Sequence, residues 1–562
     1  MKSELRTRHG GRILTDALAG HGVTTAFGVP GESYLPVLDG FHDHARRMQF
    51  VICRNEGGAS YMAEASAKLT GKPGILFVTR GPGATNGAVG VHTAFQDSTP
   101  MVVFIGQVGN DFVEREAFQE IDYRRMYGPM AKWVAQIDRV ERIPEYVSHA
   151  FHTAMAGRRG PVVLALPEDA LFAQAAVADA PHYKVVRAAP ASADMHEVEH
   201  LLAKAARPFV LLGGGGWDRP TCDALRAWIE AAGLPVGTSF RCQDLYDNRA
   251  PNYAGDVGIG INPKLAQRVK DADLVIAIGS RLDEMTTSGY TLFDIPVPRQ
   301  KLIHVQPGAE ELGRVYHATL PIVSGMAKFV ESLSKLKVDG KRWREWTKAA
   351  HEEYLAWIRP QPIPGKLQYA EVVNWLDATL PEDVIMTGGA GNFSGWVHRY
   401  FRYRGFRTQL GPTNGSMGYG LPAAVAAKIV APTRTVVCVA GDGDFLMNGQ
   451  EFATAVQYGA PIIALVINNG MYGTIRMHQE REYPGRISGT ELKNPDFAAY
   501  ARAFGGHGEL VEATEEFAPA FERARASGKP AIIELRLDPE AITTATTLSA
   551  IREKALASRK SG

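Results

Sequence analysis

Four cysteines in 562 residues, Cys53, Cys222, Cys242 and Cys438, are too few to staple a fold, and none shares a C-x-x-C spacing. A disulfide scaffold and a zinc ribbon are thereby excluded, and a reduced, cytoplasmic compartment is expected. Long apolar runs are also missing. No stretch approaches the ~18 residues of a membrane-spanning helix, and the charged opening from Met1 to Arg12 lacks an apolar signal core. Nor does either sign of charge dominate: 61 Lys and Arg against 60 Asp and Glu leave a formal net charge of +1. That balance gives no electrostatic case for nucleic acid or an anionic membrane as partner.

What is present is an ordinary globular composition, on a chain too long for one hydrophobic core. Helix-like and strand-like segments alternate through three blocks, which predicts an α/β protein of three doubly wound parallel-sheet domains. The first domain is expected at 1–180, with strands from Thr25, Phe50, Gly74, Met101 and Pro161. Its run Arg80-Gly81-Pro82-Gly83-Ala84-Thr85-Asn86-Gly87 reads as a glycine-rich turn. An Ala- and Pro-rich stretch separates it from a second block at 190–340, with strands Pro208 to Leu212, Asp273 to Ile278 and Lys301 to Val305. Four glycines, Gly213 to Gly216, follow the first of these but lack the G-x-G-x-x-G order of a dinucleotide turn. After Pro360-Gln361-Pro362-Ile363-Pro364-Gly365 comes a third block at 365–540, and then a tail at 541–562.

The third block carries the stretch richest in chemistry. The apolar strand Thr435 to Ala440 runs into Gly441-Asp442-Gly443-Asp444, followed by a helix-like segment and a second apolar run ending at Asn468-Asn469. Strand, glycine turn, helix, strand is a βαβ unit, and ligands of open α/β sheets sit at the carboxyl edge of such strands. Asp442 and Asn469 would both project from strand ends. A carboxylate with an amide oxygen makes a hard donor set, suited to Mg²⁺ holding a diphosphate. The glycines let backbone N–H groups approach phosphate oxygens.

Gly-Asp-Gly followed about two dozen residues later by Asn-Asn resembles the signature of the thiamine-diphosphate-dependent enzymes. Lys72 to Asn86, Pro100 to Val108 and Ala117-Phe118-Gln119-Glu120 resemble the corresponding stretches of acetolactate synthase large subunits. Gly415-Ser416-Met417-Gly418-Tyr419-Gly420 also matches the family. Two departures stand beside these matches. Gly388-Gly389-Ala390-Gly391-Asn392-Phe393 occupies the place of Gly-Gln-His-Gln, and Gly443-Asp444 that of Ala-Ser.

The resemblance implies thiamine diphosphate and Mg²⁺ as cofactors and assigns roles residue by residue. Asp442, Asn469 and the Met471 backbone carbonyl would hold the metal. Gly389, Gly391, Asn392, Gly441, Gly443, Asp444, Tyr472 and Gly473 would surround the diphosphate. Gly415 would face the aminopyrimidine, with Met417 wedged between the two cofactor rings. Glu56, at a strand-to-helix junction, would share a proton with the aminopyrimidine. Phe118 and Gln119 would line the substrate pocket, and Lys132 matches the lysine that follows them. FAD is left open, with Arg281 in Gly279-Ser280-Arg281 and the four glycines as its contacts.

The implied reaction is decarboxylation of a 2-oxo acid, pyruvate-like, with ligation to an aldehyde or ketone. A non-ligating 2-oxo acid decarboxylase and an aldehyde carboligase or lyase stay open as alternatives. The resemblance further implies a homodimer or homotetramer with active sites at subunit interfaces.

Overall fold

The computed structural model describes residues 6–560, and these group into two compact units that divide between Val186 and Arg187. The first unit holds one six-stranded parallel sheet and the second holds two. In spatial order, the first sheet runs Gln49–Ile52, Thr25–Gly28, Gly74–Val78, Met101–Gln107, Pro161–Pro167 and Trp133–Gln136. Its central strands Gly74–Val78, Met101–Gln107 and Pro161–Pro167 are buried at every residue. That is why they read as unbroken apolar runs: helices cover both faces of a parallel sheet.

The second unit begins with the sheet Tyr253–Val257, Val236–Ser239, Pro208–Leu212, Leu274–Ile278, Lys301–Gln306 and Leu320–Val323. Counted along the chain this is the order 3-2-1-4-5-6, the dinucleotide-fold order. Its two faces carry separate cores, one around Trp228 and Trp343, the other around Phe209 and Leu265. The third sheet runs Gln409–Leu410, Ile385–Gly388, Val436–Gly441, Ile463–Asn468, Ala531–Arg536 and His507–Val511. Numbered along the chain, the first and third sheets share the order 2-1-3-4-6-5. They are a structural repeat that no short sequence period announces.

Two local expectations change, and the tail gains an element. The run from Arg80 is not a long turn, because Pro82 opens a helix, Pro82–Gln96. Its glycines serve a close helix contact: a Cβ on Gly90 would lie 2.2 Å from Ser60 Oγ. The Gly441–Asp444 stretch is likewise no extended turn, since the chain passes from the strand directly into the short helix Asp442–Leu446. The tail forms the helix Leu548–Lys560, packed on the helix Gly473–Glu482. Among the described residues no helix is long and apolar enough to cross a membrane.

Candidate functional site

In the third sheet the chain order reverses between Ile385–Gly388 and Val436–Gly441, and a ligand crevice opens at such a switch point. A cavity of about 210 Å³ lies there. Its walls bring together Gly391, Asn392, Gly415, Met417, Gly441, Asp442, Gly443, Asp444, Asn469, Met471, Tyr472 and Gly473, residues that are scattered along the sequence. Gly389, the remaining expected cofactor neighbour in this unit, borders a smaller adjacent cavity of about 30 Å³.

Asp442 is 3% exposed at the start of its helix. Oδ1 accepts the Gly443 N–H at 2.9 Å, while Oδ2 accepts the Gly470 N–H at 2.9 Å and the Asn494 side-chain amide at 2.7 Å. Burial raises its pKa, against the N–H donors that favour the charged form. A buried carboxylate of this kind gains from a cation. Met471 forms an antiparallel bridge with Glu491, made by Leu492 N–H to Gly470 O and Tyr472 N–H to Thr490 O, both 2.9 Å. In that pairing the N–H and C=O of Met471 itself point away from Glu491. The Met471 N–H indeed acts on the Asp442 carboxylate.

Among the described residues no cluster of three or more His, Cys, Asp or Glu forms a metal cage. A cation here would use the Asp442 carboxylate, the Asn469 amide oxygen and the Met471 carbonyl, leaving other positions to phosphate oxygens and water. That donor set is all oxygen and fits Mg²⁺.

Asp444 plays a different part from its neighbour. Its Oδ1 accepts the Gly418 N–H at 2.8 Å and the Ala390 N–H at 3.2 Å, tying two cavity loops to the helix start. Burial pushes its pKa up to about 7, and among the described residues Oδ2 has no hydrogen-bond partner. A Cβ on Gly389 would fall 2.1 Å from Asp444 Oδ1, and one on Gly443 2.5 Å from the Tyr472 ring. These glycines are thus fixed by close packing inside the site. Gly415 is required for its backbone instead, at φ +68°.

Asn392 reaches outward to the end of the chain. Its amide donates to the Ile542 carbonyl at 3.0 Å, and its backbone N–H and Oδ1 both meet the Thr474 hydroxyl. Ala541 and Ile542 complete the cavity wall. Asn494, Thr474 and Ile542 were not visible in the sequence as site residues.

In the first unit, Asn55 caps the helix Glu56–Thr70. Glu56 Oε2 accepts the Asn86 side-chain amide at 3.0 Å. Oε1 lies over Gly83, where a Cβ would come within 3.2 Å, so that glycine keeps this oxygen approachable. Phe118 is 71% exposed. Gln119 has φ +66° and packs on Gly81, and the Phe118 carbonyl accepts from Arg80 Nε at 3.1 Å. Lys132 lies along Gly160 and donates to the Ala156 carbonyl.

In the second sheet the residues considered for flavin have close partners within the chain. Arg281 pairs with Glu311 at 3.0 Å. A Cβ on Gly214 would lie 2.1 Å from the Gly279 carbonyl, and one on Gly213 2.4 Å from Ser239 Oγ. Close packing at both, together with φ +65° at Gly214, accounts for these glycines.

Comparison with known proteins agrees with this arrangement. Residues 8–126 match the family model for the thiamine pyrophosphate enzyme N-terminal TPP binding domain. Residues 195–333 match its central domain and 389–535 its C-terminal TPP binding domain. The chain is similar to the acetolactate synthase large subunit of Corynebacterium glutamicum, 31% identical, covering 95% of this chain and 87% of that one. It is also similar to the acetolactate synthase isozyme 2 large subunit of Escherichia coli K12, 30% identical, covering 94% and 96%. The mitochondrial acetolactate synthase catalytic subunit of Saccharomyces cerevisiae is 30% identical, with 94% and 80% covered.

Proposed function

We propose that this chain, which belongs to the thiamine pyrophosphate enzyme family and is an enzyme dependent on that cofactor, decarboxylates a 2-oxo acid and ligates the remaining fragment to a second carbonyl compound. The observation that carries this reading is the placing of Asp442, Asn469 and Met471 around one cavity, on a chain similar over 94% of its length to acetolactate synthase large subunits. When bound, thiamine diphosphate supplies the nucleophilic carbon that attacks the 2-oxo acid and holds the electrons left when CO₂ departs.

The protein's part is binding, orientation and proton control. Asp442, Asn469 and the Met471 carbonyl would hold Mg²⁺ for the diphosphate. Met417 would pack against the rings of the cofactor, a contact that an unbranched thioether suits. Glu56 holds a proton on Oε1 for the aminopyrimidine ring nitrogen, while Asn86 fixes Oε2. Phe118 and Gln119 shape the approach of the reacting carbonyl compounds. The working enzyme is a homodimer or homotetramer in which Glu56 of one subunit and Asp442 of another serve the same cofactor. No step is assigned to FAD. FAD stays open as a further cofactor of the central sheet: a stoichiometric yellow chromophore in the purified protein supports it, and a colourless protein tells against it.

Product analysis tests the reaction. Incubation with pyruvate alone, then with pyruvate and an added aldehyde, should yield acetolactate or a mixed hydroxy ketone. Acetaldehyde as the sole product would replace ligation by simple decarboxylation.

A further inference from the structure

Asp442 does not choose its own direction. We propose that Asn494 is a positioning residue for the metal ligand Asp442, the lead member of a hydrogen-bond ring that fixes which carboxylate oxygen is offered to a divalent cation. The proposal rests on the metal reading above.

Asn494 lies in segment 490–494, whose first residues clamp the Met471 loop through the Glu491 bridge. Its amide nitrogen has two hydrogens and meets two acceptors: Asp442 Oδ2 at 2.7 Å and Asn468 Oδ1 at 2.9 Å. Asn468 passes the constraint on, donating from Nδ2 to Glu534 Oε1 at 2.8 Å. Glu534 is 1% exposed on the neighbouring strand. Its Oε2 accepts the N–H of Phe497, three residues beyond Asn494, at 3.2 Å. The ring Asn494–Asn468–Glu534–Phe497 therefore closes on itself and is anchored to two adjacent strands. Gly470 N–H is shared between Asp442 Oδ2 and Asn468 Oδ1, at 2.9 and 3.1 Å.

The geometry has a chemical consequence. Asp442 Oδ2 takes two donors, Asn494 and Gly470, against the single Gly443 N–H at 2.9 Å on Oδ1, which leaves Oδ1 the less occupied oxygen for a cation. The same segment, through the Glu491 bridge, sets where the Met471 carbonyl points. One short stretch of chain thus aims two metal donors at once. Outer partners of this kind typically alter metal affinity by about 10–100-fold when removed. Mg²⁺ should feel the loss more than Ca²⁺, because Mg²⁺ demands near-octahedral geometry at short distance while Ca²⁺ tolerates irregular shells.

The test uses the full chain and does not require turnover. Binding of thiamine diphosphate is followed by tryptophan fluorescence, to which Trp396 in the cavity wall contributes, during titration with Mg²⁺ or Ca²⁺. Asn494→Ala should raise the Mg²⁺ midpoint by about 10–100-fold and the Ca²⁺ midpoint by less than about 5-fold. Asn494→Ser, whose hydroxyl keeps one donor, should fall between Asn494→Ala and wild type. It also carries the test should Asn494→Ala fail to fold by circular dichroism. Wild-type midpoints in a folded variant would overturn the proposal, as would equal losses for both cations, which mean general damage. If the wild type binds thiamine diphosphate equally well without any divalent cation, the metal reading itself falls, and this proposal with it.

Discussion

Arg552, in the C-terminal helix, grips Glu480 with two prongs of its guanidinium, Nε at 2.7 Å from Oε2 and Nη2 at 2.6 Å from Oε1. Arg476 and the Gly485 N–H bond the same carboxylate, whose side chain is 1% exposed. Its pKa is pulled down to about 2, first of all by the Arg552 bond. Glu480 sits on the helix that starts at Gly473 in the cavity wall, so this pair ties the end of the chain to the site.

Glu480→Gln should therefore loosen the C-terminal helix, with faster amide exchange over Leu548–Lys560. A carboxyl whose folded pKa is depressed contributes stability above its unfolded pKa and loses it as pH falls through the folded one. The difference in exchange between wild type and variant should shrink as pH drops from about 4.5 toward 2. A difference that does not change across that window would show that the charge is not what holds the helix.

Asp442→Ala removes the only carboxylate proposed for the metal. Mg²⁺-dependent binding of thiamine diphosphate should weaken by about 100-fold or more, read by fluorescence or calorimetry. A variant that binds both ligands as wild type does would locate the metal elsewhere.

Glu56→Gln keeps the shape and the Asn86 contact but cannot pass a proton. Cofactor binding should persist while turnover falls by about 10²–10⁴-fold. The shared site adds a second reading. When the inactive Glu56→Gln and Asp442→Ala variants are mixed and allowed to exchange subunits, hybrid dimers should hold one intact site, restoring up to about a quarter of wild-type activity. Mixtures that stay inactive after proven exchange would place each cofactor within a single subunit.

Gly443→Ala puts a methyl group 2.5 Å from the Tyr472 ring. The ring must move, so cofactor affinity should fall by about 10-fold or more, in the range of an overpacked site. Tyr472→Leu on the same chain should recover part of it, as seen by the thiamine diphosphate concentration needed for half saturation. No recovery would mean that the glycine is needed for its backbone.

The central strands were legible because burial on both faces leaves continuous apolar runs, as in Met101–Gln107. Most edge strands were not, Gln49–Ile52 excepted. Gln409–Leu410 is two residues long, while Trp133–Gln136 and His507–Val511 are mostly half-exposed, so none makes a distinctive run. Asp442 and Asn469 were readable from residue type and from their place at strand ends. Asn494 was not, because its partner is 52 positions away and an isolated asparagine before a proline reads as a loop residue. Asp444 was read as a diphosphate neighbour from its place in the motif, while the bonds of its Oδ1 to the Gly418 and Ala390 N–H groups were not legible. Composition cannot say which way a buried side chain turns.

In the proposed metal site, position 471 separates two jobs that most binding residues combine. Its carbonyl belongs to the main chain and is held in place by the bridge to Glu491, so no substitution of the side chain removes that oxygen. The side chain can vary beside the cavity while the count of oxygen donors stays constant. A library at this one codon would therefore sample differently shaped reaction chambers around an unaltered anchor.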